Sequence, residues 1–277
     1  MSIVLAVKVS EGIVLASDSA STLTGTITGP QGALQGVLKT YYNARKLLQL
    51  GDFPIGVLTW GQAFVGLRTI ESLVREWEYN EKWQSTAEYK TKYTEPYKVK
   101  ESAQRLLKHI TAVYNSEYGT LSDEKKPILG MLVAGYSEQA FFPEIWSFVL
   151  PMNLDGQVQN TRPDVDGKPD FGANWFGMTD SIIRLHWGRD DAVMKIISEK
   201  FGVPEKEVSD ALQPLQYQIP FAVMPLQDAI DYAYYMVNVV IGRFRFVIGS
   251  DLCGGEIEIA AITQGKFNWI SRKVWKL

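Results

Sequence analysis

The 277-residue chain carries a single cysteine, Cys253. One thiol excludes an internal disulfide and a cysteine-rich metal site. Histidine is almost as scarce: His109 and His186 alone cannot build a multi-histidine metal centre. No stretch reaches the ~18 uninterrupted apolar residues of a membrane span. The best candidate, Tyr232 to Ile241, is interrupted by Asn238. The N-terminus lacks a basic region followed by an apolar core, so a signal peptide is not expected. Charge of one sign is also missing. The 28 Lys and Arg residues face 31 Asp and Glu residues, with no block of like charges. Nucleic acid and a polybasic membrane surface are therefore not expected partners, and the cytoplasm is the expected location. At 46% hydrophobic residues the chain can bury a substantial core. No internal repeat or linker divides it, so one domain spanning residues 1–277 is expected.

What is present begins at the first residue. In MSIVLAVKVSEGIVLASDSAST, Ile3, Leu5, Val7 and Val9 alternate with Ser2, Val4, Ala6 and Lys8. Ser10-Glu11-Gly12 breaks the run, Ile13 to Ala16 resumes it, and Ser17-Asp18-Ser19 ends it. This pattern predicts a β-hairpin. A three-residue loop ending in a left-handed Gly12 would pair Val9 with Ile13 and set Asp18 opposite Val4. Asp18 would then lie diagonal to Ser2 on one face, roughly 7 Å away. A small residue after Met1 permits removal of the initiator methionine. That would leave Ser2 with a hydroxyl and a free α-amine, whose ordinary pKa of about 7.7–8.0 lets it accept a proton near neutrality. A hydroxyl beside its own base is a self-contained nucleophile.

Further along, a Gly- and Thr-rich stretch from Leu23 to Tyr42 predicts a long loop or loose hairpin. Strands are expected at 43–50 and 55–60. The 3.6-residue spacing of Phe64, Leu67, Ile70, Leu73 and Val74 predicts a helix over 61–77. A second helix is expected over 99–114, strands over 128–136 and 145–150, a loop or ragged helix over 80–98, and a long loop over 155–174. Helices over 180–187, 190–201, 205–212 and 225–241 precede strands over 256–263 and 267–271. Without regular βαβ alternation, a doubly wound sheet is disfavoured. The expectation is an α+β, four-layer αββα sandwich: two face-to-face antiparallel sheets flanked by helices. Strands 55–60 and 128–134 are apolar on both faces, as covered strands should be.

Five blocks in order resemble the proteasome β-subunit branch of the N-terminal-nucleophile (Ntn) hydrolases: EGIVLASDSAST, RKLLQLG, GVLTWGQAFVGLRTI, MLVAGYSEQAFFPEIWSF and CGGEIEIAAIT. The resemblance implies the Ntn-hydrolase fold, with inserted loops near 24–42, 79–98 and 155–174, and a divergent bacterial homologue. Position by position, it places the nucleophile on Ser2, the hairpin acid on Asp18, the catalytic lysine on Lys46 and the oxyanion-hole glycine on Gly61. Thr22 falls on the substrate-aligning threonine, and Thr59 is a second candidate substrate-binding residue. Where the family carries a basic residue, Ala20 stands; where it carries an Asp–Ser pair before Gly-Gly, the chain has Asp251-Leu252-Cys253. The loop serine of the family has no unambiguous match near Gly177-Met178-Thr179.

The activity implied is that of a serine/threonine-type peptidase of proteasome kind, needing no metal or organic cofactor. Its substrate would be a peptide or unfolded protein, inside a homo-oligomeric ring and with an unidentified ATPase or regulator. The alternatives are a catalytically inactive ring scaffold and a small-amide Ntn amidase. Each residue also has a plainer role: Lys46 a solvated strand charge, Asp18 a turn former, Asp190-Asp191 a helix start, Cys253 a buried small residue. Aromatic content bears on assembly. Tyr232, Tyr234 and Tyr235 lie on the helix expected from Pro225. At ~100° per residue, Tyr232 and Tyr235 share a face and Tyr234 points elsewhere, so one direction is free for a neighbouring subunit.

Overall fold

A computed structural model of the chain describes residues 2–29 and 32–274. Strands β1 (Ile3–Val9), β2 (Gly12–Ser17), β3 (Ser21–Gly29), β4 (Gly32–Tyr41), β5 (Leu47–Gln49), β6 (Ile55–Gly61), β7 (Phe64–Val65) and β8 (Arg68–Thr69) come first. Helices α1 (Ile70–Glu81), α2 (Thr86–Lys92) and α3 (Val99–Tyr118) follow, then β9 (Leu129–Gly135), β10 (Glu144–Leu150), β11 (Gln159–Asn160) and β12 (Gly172–Gly177). Helices α4 (Asp180–Trp187), α5 (Asp191–Phe201), α6 (Glu205–Leu212) and α7 (Leu226–Phe246) precede β13 (Glu258–Thr263) and β14 (Lys266–Ser271).

Two five-stranded sheets result, in the orders β12-β1-β2-β13-β14 and β11-β10-β9-β6-β5, with every pairing antiparallel. Strand parity builds the layers. Ile3, Leu5, Val7 and Val9 pack with Ala229, Ala233, Val237 and Val240 of α7. The alternate residues Val4 and Ala6, with Ile13 and Leu15 of β2, meet Leu58, Leu132, Ala134 and Ile145 of the second sheet. On the far side, Val57, Met131 and Val133 pack with Leu73 and Val74 of α1 and with Leu106, Leu107 and Ile110 of α3. The molecule is thus the expected αββα sandwich. Each fully buried aliphatic side chain contributes about 1.5–3 kcal/mol to holding it together.

The structure differs from the sequence expectations in four places. The first hairpin turns through two residues, Ser10 and Glu11, and pairs Val9 with Gly12. Asp18 therefore lies beyond Ser17, which faces Val4, and is bonded to Ile3. Gly12 is needed for a close approach rather than for a left-handed turn, because a Cβ there would meet the Ile262 carbonyl oxygen at 2.6 Å. Second, α1 begins at Ile70, not at 61, capped by Thr69 Oγ1 accepting from Ser72 N–H. Phe64 and Leu67 belong to the small β7–β8 hairpin and are 47% and 102% exposed. Their helical spacing was coincidental. Third, the Gly/Asn-rich segment Gly172–Gly177, unremarkable as sequence, is a strand on the edge of the first sheet. Pairing with β1 overrides its weak strand propensity. Fourth, on α7 it is Tyr234 and Tyr235 that are half-exposed, while Tyr232 packs on Phe221. Within 24–42 and 79–98 the hairpin and helix alternatives hold: β3 pairs with β4, and α2 covers Thr86–Lys92.

Candidate active site

The hydroxyl and carboxylate signals of the first hairpin converge at one end of the sandwich. Asp18 is fully buried. Its Oδ1 accepts from Lys46 Nζ at 2.6 Å and from Ile3 N–H at 3.0 Å. Its Oδ2 accepts from the N–H groups of Ala20 and Gly254, each at 3.1 Å. One carboxylate thus ties together β1, the end of β2, the residue before β5 and the loop before β13. Lys46 is itself buried, and the strand around it is fixed by Thr59 N–H donating to its carbonyl at 3.0 Å. Taking two charges from water is costly and is offset only when geometry and further hydrogen bonds are good. Here the carboxylate has four donors, so the pair is held in place by more than its own attraction.

Ser2 is held from the opposite side. It lies just before β1, with 5% exposure, and its carbonyl accepts from Met178 N–H at 2.8 Å. Gly177, with φ +92°, is required there: a Cβ would meet the Ser2 carbonyl oxygen at 1.9 Å. Gly61 ends β6 with φ +85°, where a Cβ would lie 2.3 Å from the Ile128 carbonyl oxygen. Only glycine fits, and the backbone turns there so that Gln62 N–H donates to Ile128.

Ser2, Thr22, Lys46, Thr59 and Gly61 line one cavity of about 670 Å³. Leu23, Tyr41, Trp60, Phe64 and Ile70 give it a largely apolar wall, on which Arg45 and Glu71 form an ion pair at 3.2 Å. Thr59 is 7% exposed, and its Oγ1 has no partner among the described residues. The six candidate residues therefore fall into two groups. Ser2, Thr22, Lys46, Thr59 and Gly61 face the cavity; Asp18 sits behind it and holds Lys46.

The remaining sequence candidates are placed elsewhere. Asp251 is exposed, and its Oδ2 accepts from the Tyr42 hydroxyl at 2.9 Å, tying down the base of the β3–β4 hairpin. Burial, then the nearby Asp18 charge, pushes the Cys253 thiol up to about 12, so it is not a nucleophile at neutral pH. Asp190 caps α5 by accepting from Val193 N–H, and Arg184 with this cap holds its carboxyl below the ordinary range. His109 and His186 are both lowered by burial, and they are not part of a metal-binding cluster among the described residues. Sequence reasoning missed the Met178 and Gly254 N–H donors. Backbone donors exist at every non-proline residue and leave no side-chain signature.

Comparison of the sequence with known protein families and with characterised proteins finds no match. Solved structures do share the fold. The chain superposes on a Gly-1 mutant of Anbu from Hyphomicrobium sp. strain MC1 with a TM-score of 0.54 and 12% identity, over 99% of this chain and 86% of that one. It is similarly like Anbu, an ancestral β-subunit, from Yersinia bercovieri: TM-score 0.52, 13% identity, 97% of this chain and 87% of the other. The αββα sandwich is the fold shared with these structures. Identity this low speaks for the fold alone.

Proposed function

We propose that the chain is an N-terminal serine peptidase of proteasome type. The observation that carries this reading is the buried Asp18–Lys46 pair, 2.6 Å apart, at the foot of a cavity that Ser2 and Gly61 also line. In this reading Met1 is removed and Ser2 Oγ attacks the scissile carbonyl. The Ser2 α-amine accepts the hydroxyl proton and passes it to the leaving amine. The Lys46 ammonium favours the developing alkoxide, and Asp18 keeps it in position. The Gly61 N–H donates to the oxyanion; loss of such a donor costs about 10²–10³ in rate. Water then hydrolyses the Ser2 ester, releasing the acid and restoring the hydroxyl. Thr22, on β3 where it lines the cavity, aligns an extended substrate, and Thr59 forms the pocket floor.

The working form in this reading is a homo-oligomeric ring acting on peptides or unfolded chains. The half-exposed Tyr234 and Tyr235 of α7 supply apolar surface suited to a neighbouring copy. An inactive scaffold is the second reading, favoured by Asp251 turning outward to Tyr42. Intact-mass analysis combined with labelling by an electrophile selective for N-terminal hydroxyls decides between them. Label on Ser2, lost in Ser2→Ala and kept in Ser2→Thr, is the expected result. A protein that retains Met1 and takes no label is a scaffold. Light scattering addresses the ring: a clean monomer near 31.2 kDa at micromolar concentration leaves the small-amide amidase as the better enzymatic reading.

A further inference from the structure

At the end of the sandwich that holds Ser2, two carboxylate oxygens are buried without a partner among the described residues, Oε2 of Glu258 on β13 and one of Asp180, and only Asp180 stands where the strand beside Ser2 runs into a helix. Asp180 opens α4, and its Oδ2 pairs with Arg243 of α7. Its Oδ1 is buried without a partner among the described residues, as is the Oγ of the next residue, Ser181. The register places this group. Ile3 faces Gly177, and Met178 N–H donates to the Ser2 carbonyl at 2.8 Å. The backbone N of Ser2 therefore emerges alongside Met178 and Thr179, where α4 begins. The Cys253 thiol, next to the Asp18-bound Gly254, lies in the fields of Asp18, Lys46 and Asp180 together, which puts Asp180 in the same neighbourhood. The acid that sequence order would nominate, Asp251, is occupied by Tyr42 at the surface.

We infer that Asp180 is a positioning residue that holds the α-amine of Ser2 through Oδ1. The inference rests on the N-terminal-nucleophile reading. The amine would then stand between two opposed influences. Asp180 stabilises the ammonium form, and the Lys46 ammonium opposes it. The other charged or titratable groups at this end of the sandwich are Asp18 at the end of β2, Glu258 on β13, Cys253 before β13 and Arg243 on α7. With Asp180 in place the amine keeps one orientation toward the Ser2 hydroxyl. Without it the amine is less basic and free to rotate.

Periodate cleaves an N-terminal serine to a glyoxylyl group only through its free amine, so its rate against pH titrates the amine without reference to catalysis. The measurement uses protein whose N-terminal residue is Ser2, checked by mass. Asp180→Asn should move the midpoint to lower pH by about one unit, since an adjacent opposite charge is lost. Turnover of a peptide substrate should fall even though more amine is free. Arg243→Gln leaves Asp180 in place with its competing cation removed, so the midpoint should move the other way. This second variant keeps the test open should Asp180→Asn fold poorly. An unchanged midpoint in either folded variant overturns the role given to Asp180. Wild-type protein with the expected shifts but no peptide turnover overturns the peptidase reading and leaves the positioning role standing. Normal turnover with unmoved midpoints does the reverse.

Discussion

Two lysines are nearly sealed from water at opposite ends of the same inter-sheet space. Lys46 is 5% exposed and Lys8 2%. Lys46 meets the Asp18 carboxylate at 2.6 Å and opens onto a cavity. Lys8, opposite Gly172 on β1, has no carboxylate within ion-pair distance among the described residues. Its Nζ lies 6.0 Å from the centre of the Phe171 ring. Burial holds Lys8 below the usual lysine range, with Asp164 and Asp170 opposing that fall. Six residue steps along the strand, ~20 Å, separate it from Ser2. Burial of a charged group therefore does not define a site. What distinguishes Lys46 is a partner that is itself over-determined and a space into which a substrate can come.

The sharpest way to break the contrast is substitution of the two lysines. Lys46→Ala should reduce peptide turnover to background and leave Asp18 as a buried charge with three N–H donors. The stability loss should be about 3 kcal/mol, the low end for breaking a buried pair, read by urea unfolding. Lys46→Arg should also be inactive, because a planar fork cannot replace a compact ammonium at 2.6 Å from one oxygen. Lys46→Ala with near-normal turnover would remove the distinction between the two ends of the sandwich.

Gly61→Ala tests the cavity side of the contrast. At φ +85°, with a carbonyl oxygen 2.3 Å from the added Cβ, the backbone must shift. A cost of about 1–3 kcal/mol and a roughly 10²-fold fall in turnover are expected. Loss of stability with turnover intact would mean that the Gly61 N–H takes no part.

The smallest effect belongs to Lys8. Its folded-state value lies below the ordinary 10.5, so the unfolded chain binds the proton more tightly. Wild-type stability should therefore rise with pH across the window from the lowered value to 10.5. Below that window the buried charge is a fixed cost. Lys8→Met should remove this slope, leave turnover unchanged and raise stability near neutral pH by about 1 kcal/mol, since an unpaired buried charge is replaced by an apolar chain. Urea midpoints at neutral and alkaline pH measure it. A slope that survives in Lys8→Met would place its source elsewhere.

Much of the architecture was legible in the chain because it is written in local periodicity. The alternation of Ile3, Leu5, Val7 and Val9 commits one face of β1 to a helix layer and leaves Val4 and Ala6 for the second sheet. The spacing of Leu106, Leu107 and Ile110 similarly commits α3 to the outer face of that sheet. Ser2 and Asp18 could be singled out because they stand at the ends of the first hairpin's alternating runs, whereas Lys46 and Gly61 were marked only by the resemblance of RKLLQLG and GVLTWGQAFVGLRTI to a known family.

Only tertiary structure decided the rest. Gly172–Gly177 became a strand because β1 had an unpaired edge, not because of its own side chains. The hairpin took the shorter turn, which set Asp18 against Ile3 and brought Gly12 so close to the Ile262 carbonyl that a Cβ would not fit. Phe64 and Leu67 kept helical spacing yet lie outside the helix, because Thr69 caps it after them. The donors that fix Asp18 include the N–H groups of Ile3, Ala20 and Gly254, the last 236 residues away in sequence. Side-chain period is a local property and survives in the sequence. Backbone hydrogen bonds between distant segments are the same for every residue type, so their partners exist only once the chain has folded.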